Sequence, residues 1–102
     1  MIQPLVVGNW KMNKTIGEAV LFADQLKKRL KGRGGKTVAV APPFISLYPV
    51  AEALTGSGIY LAAQNVCERE EGAYTGEVSA RMLAGAGCRF VIVGHSERRA
   101  FF

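Results

Sequence analysis

The chain alternates between two hydrophobic periods, and that alternation leaves few folds open to it. Leu5-Val6-Val7-Gly8, Thr37-Val38-Ala39-Val40-Ala41, Ile59-Tyr60-Leu61-Ala62-Ala63 and Phe90-Val91-Ile92-Val93 are short, nearly continuous apolar runs. That is the pattern of strands buried on both faces. The stretches between them carry a helical period. In the first, Ile16, Ala19, Val20, Ala23, Leu26 and Leu30 recur at steps of three and four, and Thr15-Ile16-Gly17-Glu18 has the form of a capping box. Gly32 is the expected stop. A second helix is expected over 47–54, with Ser46 as its N-cap and Pro49 tolerated because first-turn N–H groups have no intrahelical acceptor. Thr55-Gly56-Ser57-Gly58 breaks it. A third is expected over 79–86, closed by Gly87, and Ser96 begins a fourth. The order βαβαβαβ predicts an α/β chain whose parallel strands are joined by right-handed helical crossovers. No linker, low-complexity tract or second domain interrupts residues 1–102.

Composition narrows the function classes. The 102 residues are 49% hydrophobic and 21% charged, the balance of a soluble globular domain. No run approaches the roughly 18 apolar residues of a membrane span, and Met1-Ile2-Gln3-Pro4 offers no charged lead before an apolar stretch. The expectation is a cytoplasmic protein with no membrane partner. Cys67 and Cys88 lack CxxC spacing and histidine neighbours at ligand intervals, so they read as reduced thiols and no metal site is expected. Much of the formal charge of +5 sits in Lys27, Lys28, Arg29, Lys31, Arg33 and Lys36. Cations are favoured at a helix C-terminus. With no aromatic residue among them to stack a base, the cluster reads as a solvated helix end, and no nucleic-acid partner is expected.

The chemistry-bearing residues stand where strands stop. Phe90-Val91-Ile92-Val93 runs into Gly94-His95-Ser96-Glu97-Arg98-Arg99. An imidazole at the positive end of a helix is discouraged from gaining a proton, so His95 is suited to donate a hydrogen bond while neutral. The first apolar run leads in the same way to Asn9-Trp10-Lys11-Met12-Asn13. Together Asn9, Lys11 and His95 offer two donors and a cation, the set an anionic carbonyl compound requires. Each has a plainer reading: His95 as a polar strand end, Lys11 as a surface lysine, Asn9 and Asn13 as turn caps. The connection over 65–78 is much longer than the usual two to six residues or so between strand and helix. It holds Glu68-Arg69-Glu70-Glu71 and Gly72-Ala73-Tyr74-Thr75-Gly76-Glu77, and reads as a lid or as a loop that docks into a partner.

Asn9-Trp10-Lys11-Met12-Asn13, Ala63-Gln64-Asn65, Gly72-Ala73-Tyr74-Thr75-Gly76-Glu77 and Gly94-His95-Ser96-Glu97-Arg98-Arg99 resemble four signatures of the triosephosphate isomerase family, in order and in register. The resemblance covers the whole chain. It implies a (β/α)8 TIM barrel, normally a homodimer, that interconverts dihydroxyacetone phosphate and glyceraldehyde 3-phosphate by proton transfer through an enediolate, in glycolysis and gluconeogenesis, without a cofactor. It implies catalytic roles for His95, which polarises the carbonyl, for Lys11, and in a subsidiary way for Glu97. Asn9 and Lys11 are implied to bind substrate. Thr75, Tyr74, Gly76, Glu77 and Arg98 are implied to lie at the dimer interface.

A barrel of this type runs to about 250 residues, so this chain is expected to hold only the first four strands and three helices, a half barrel forming the N-terminal part of one domain. The family's glutamate base and its phosphate-binding loops belong to the remainder. By itself the 102-residue piece is expected to be inactive and, with two unpaired sheet edges, prone to self-association. Two other readings are a non-catalytic half-barrel acting as an interaction or assembly module, and a basic nucleic-acid binder built on the lysine cluster.

Overall fold

In the computed structural model, which describes residues 4–32 and 35–94, the elements run β1 (Leu5–Asn9), α1 (Ile16–Arg29), β2 (Thr37–Ala41), a 3-10 turn (Phe44–Ser46) leading directly into α2 (Leu47–Ala53), β3 (Tyr60–Ala63), α3 (Ala80–Gly85) and β4 (Cys88–Val91). All four strands are parallel and lie in the order β1-β2-β3-β4. Each crossover carries a helix, as the alternating pattern requires. His95, Glu97 and Arg98, the helix expected from Ser96, and Arg33 lie outside the described residues.

Side chains alternate across the sheet. With Val40 paired to Leu61, the register puts Val38, Val40, Leu61 and Ala63 on one face, and Ala39, Ala41 and Ala62 on the other. The first face packs against the helices: Val40, Leu61 and Ala63 join Ala19 and Ala23 of α1, Leu47, Val50 and Leu54 of the second helical segment, and Leu83 of α3. Each large side chain here is worth roughly 1.5–3 kcal/mol on burial, against about 0.8 kcal/mol per methyl-sized group on the alanine face. Stability therefore resides between sheet and helices. Among the described residues the buried cluster of the opposite face is small, Ala39, Ala41 and Ala62 with a partly buried Ile92, while Tyr60 and Phe90, in register with Ala39 and Ala62, meet edge-to-face there and stay exposed.

Strand burial departs from the sequence pattern at both sides of the sheet. All five residues of β1 are exposed, as are Arg89, Phe90 and Val91 of β4, whereas β2 and β3 are buried over most of their length. The outer strands are as apolar as the inner ones, but each has a neighbour on one side only. The fourth strand also begins earlier than its apolar run, at Cys88, with a register shift between Leu61 and Ala62. Ile92 still donates to the Ala63 carbonyl at 2.8 Å, which carries the pairing beyond Val91.

Helix ends follow local chemistry, with one exception. At α1 the Glu18 N–H donates to Thr15 Oγ1 at 3.3 Å and the Thr15 N–H to Glu18 Oε1 at 2.9 Å, completing the capping box. At α3 the Met82 N–H donates to Ser79 Oγ at 3.2 Å. Gly32 (φ +77°) follows α1 and Gly87 (φ +104°) follows α3, left-handed positions that suit glycine. Ser46 is the exception: its backbone is already right-handed helical (φ −102°, ψ −2°) and its side chain caps nothing. The preceding 3-10 turn brings the chain into α2 already coiled, so no extended N-cap residue exists for Ser46 to be.

Candidate functional site

The residues singled out by sequence gather where β1 and β3 end. Asn9 closes β1 and Lys11 stands two residues on, at φ +54°. A non-glycine residue seldom takes that conformation, because its Cβ then crowds the following carbonyl. Two side chains hold it there. The Lys11 N–H donates to Asn9 Oδ1 at 2.9 Å. The Gln64 side-chain nitrogen, immediately after β3, donates to the Lys11 carbonyl at 2.8 Å and to the Ala41 carbonyl at the end of β2 at 2.7 Å. The Trp10 N–H donates to that same Ala41 carbonyl at 3.1 Å. Three strand ends are thus tied through one amide.

The turn after Lys11 is anchored from below. Trp10 is buried and meets Phe22 of α1 edge-to-face, with ring centroids 5.2 Å apart. Lys14, a second left-handed residue (φ +75°), lays its ammonium 4.5 Å from the Phe22 ring centre and 5.9 Å from that of Trp10, a cation–π contact of about 0.5–1 kcal/mol where exposed. Asn13 Nδ2 donates to the Trp10 carbonyl at 2.8 Å. Asn9 Oδ1 and Asn13 Nδ2 therefore brace the turn, and Lys11 is an exposed residue within it.

The long connection folds back over the end of β3. Cys67 and Ser79 pair as an isolated bridge, with the Cys67 N–H on the Val78 carbonyl at 2.7 Å, closing the loop at its base. At its tip the Glu77 N–H donates to the Tyr74 carbonyl at 2.9 Å across a turn with Gly76 at φ +89°, the left-handed third position of a type II turn. Gly72 (φ +134°) sits against the Tyr74 ring, 3.0 Å from where a Cβ would lie. A cleft of about 170 Å³ opens between loop and sheet, lined by Gln64, Asn65, Gly76, Glu77, Phe44 and Leu83 among others. Phe44, which lines it, is exposed, and so are Ile45, Tyr48, Tyr74 and Met12, large side chains that water does not favour.

The structure thus brings Asn9 and Lys11 together, and sets Gly76 and Glu77 beside Gln64, while Tyr74 and Thr75 stand on the loop tip. Three residues of this region carry roles the sequence reading did not assign. Gln64 was visible as a polar residue directly after a buried apolar run, Trp10 as an aromatic between two polar ones, and Lys14 had no signal of its own. Both cysteines are free thiols, and burial pushes the Cys88 thiol up from its ordinary range. Among the described residues no group of histidine, cysteine and carboxylate side chains is placed to hold a metal ion, and no helix is long and apolar enough to cross a membrane.

The family model described as triosephosphate isomerase matches residues 4–102. Among curated relatives, the triosephosphate isomerases of Carboxydothermus hydrogenoformans, Prosthecochloris aestuarii and Pelobacter propionicus are 55%, 52% and 51% identical to this chain over all of its length and 41% of theirs. The crystal structure of triosephosphate isomerase from Bartonella henselae superimposes with a TM-score of 0.83 at 38% identity, covering 98% of this chain and 41% of that one. The chain spans about two-fifths of the length of the relatives it matches.

Proposed function

Because the chain belongs to the triosephosphate isomerase family, we propose that residues 1–102 are the N-terminal part of a (β/α)8 barrel that interconverts dihydroxyacetone phosphate and glyceraldehyde 3-phosphate. The observation that carries this reading is Lys11, exposed at the carboxyl end of a parallel sheet with its backbone held by two side chains. Parallel barrels of this kind present their active sites at that end.

Moving a proton between adjacent carbons builds negative charge on the carbonyl oxygen, and preorganised donors stabilise it at little reorganisation cost. In the proposed mechanism His95 donates a hydrogen bond to that oxygen as a neutral imidazole. Lys11 supplies positive charge to the phosphate and to the enediolate, Asn9 adds a contact to substrate, and Glu97 stands in the charge network beside them. The resemblance assigns the carbon base, which must approach the substrate from the other side, to the remainder of the barrel, so the chain by itself is proposed to be inactive. The exposed Tyr74 of the long loop, with exposed Phe44 lining the cleft beside Gly76 and Glu77, supports a homodimer in which Thr75, Tyr74, Gly76, Glu77 and Arg98 meet the partner. The reaction needs no cofactor, and a cytoplasmic location suits its soluble substrates.

A chimeric barrel tests the proposal: these 102 residues followed by the C-terminal part of the Carboxydothermus relative. It is expected to isomerise the triose phosphates. His95→Gln is expected to lower kcat by orders of magnitude with the fold retained, and Lys11→Met to damage both kcat and KM. Unchanged turnover in either variant removes that residue from the mechanism.

A further inference from the structure

We propose that Gln64 is a positioning residue whose side-chain amide sets the direction of the Lys11 side chain by holding its backbone left-handed. For its kinetic consequence this inference rests on the isomerase reading. For its structural content it rests on three observations.

First, Lys11 lies at φ +54°, where a side-chain-bearing residue persists only if its surroundings over-determine it. Second, the surroundings do so from both sides. Its N–H is taken by Asn9 at 2.9 Å and its carbonyl by Gln64 at 2.8 Å. The first of these bonds comes from the end of β1, the strand that leads into Lys11, two residues away. The second crosses from β3, so Gln64 ties the Lys11 carbonyl to a strand remote in the chain. Third, the Gln64 amide has no slack. Its nitrogen offers two protons, one spent on the Lys11 carbonyl and one on Ala41 at 2.7 Å, at the end of the intervening strand. An amide anchored on β2 by one proton holds its second in place, and the Lys11 carbonyl must meet it there.

Without these donors the Lys11 carbonyl is left without the bond that offsets its backbone strain, and the residue relaxes toward negative φ. The Cα–Cβ bond then swings, and the ammonium at the end of its four-carbon stem leaves the position from which it reaches a bound anion. Misplacement of about 1 Å in a positioning group can cost roughly a hundredfold in rate.

Gln64→Met matches the side chain in length and removes both donors, while Gln64→Asn keeps the amide but falls one methylene short. In the chimeric barrel either substitution is expected to lower kcat/KM at least tenfold with far-UV circular dichroism unchanged. The decisive readout is a double-mutant cycle with Lys11→Met. If Gln64 acts through Lys11, its loss adds less than twofold once Lys11 is gone. A residue that merely braces the loop costs the same factor in both backgrounds, and that equality, or full activity of the single variants, overturns the proposal. A crystal structure of the Gln64→Met barrel gives the activity-independent answer: Lys11 at negative φ supports positioning, and Lys11 still near +54° refutes it. An inactive unsubstituted chimera counts against the isomerase reading alone, and the Lys11 backbone angle still decides the role of Gln64.

Discussion

Replacing Ser46 by alanine is expected to stabilise the protein, although a serine directly before a helix is ordinarily its cap. Ser46 is fully buried and its hydroxyl oxygen has no hydrogen-bond partner among the described residues. An unsatisfied buried polar group costs about 1–3 kcal/mol. Its right-handed helical backbone adds a few tenths of a kcal/mol in favour of alanine. Against this, removing one oxygen forfeits a few dispersion contacts of about 0.1–0.2 kcal/mol each, roughly 0.5 kcal/mol in all. The balance is a gain of about 1 kcal/mol. A working N-cap would instead lose about 1 kcal/mol on the same substitution, so the two accounts differ in sign. Urea unfolding of the chimeric barrel measures the difference directly. With a slope of roughly 1–3 kcal/mol/M, the midpoint rises by about 0.3–1 M in Ser46→Ala. Ser79→Ala is the internal control: that serine has an extended backbone (φ −83°, ψ 162°) and accepts from Met82, so its loss lowers the midpoint by a similar amount. A midpoint that falls in Ser46→Ala refutes the reasoning and means that the hydroxyl has found a partner.

Three further outcomes follow from the same geometry. The Thr15 backbone N–H, followed by its hydroxyl, holds the Glu18 carboxyl below its ordinary 4.5; a depressed carboxylate stabilises above its unfolded value and loses that contribution as pH falls through the folded one. Glu18→Gln should therefore flatten stability against pH on the acid side of 4.5 and leave the neutral range free of any new titration, as acid unfolding curves will show. Gly87→Ala forces a side chain into a left-handed position (φ +104°) with its Cβ 3.2 Å from that of Ala51, and about 1–2 kcal/mol of strain is expected; a wild-type melting temperature contradicts it. The 102-residue chain by itself, with Leu5 and Val6 of β1 about half exposed, is expected to self-associate or to exchange its outer-strand amides quickly; a sharply sedimenting, well-protected monomer contradicts that.

The lysine cluster shows how tertiary contact redefines a sequence feature. Lys27, read as one of several solvated cations, reaches across to the carbonyls of Ala53 (3.4 Å) and Thr55 (3.2 Å). The last turn of one helix thereby supplies a cation to the carbonyl end of another, where the helix dipole is negative. Nothing in the spacing of Lys27 within its own helix announces this.

What the amino-acid sequence determined by itself is local or periodic. The parallel α/β order follows from apolar runs separated by helical stretches, the α1 capping box from Thr15 and Glu18, and the stops at Gly32 and Gly87 from the conformations those turns need. The same holds for the nomination of Asn9 and Lys11, which stand where an apolar run ends. What only the tertiary structure decided depends on who the neighbours are. β1 and β4 read as buried strands because hydrophobicity records what a strand can bury, whereas burial requires a second neighbour. Ser46 read as a cap because residue type is visible and backbone angle is not. Gln64 gained no role from its position after β3, because its partners, Lys11 and Ala41, are remote in the chain and meet it only once three strands lie side by side.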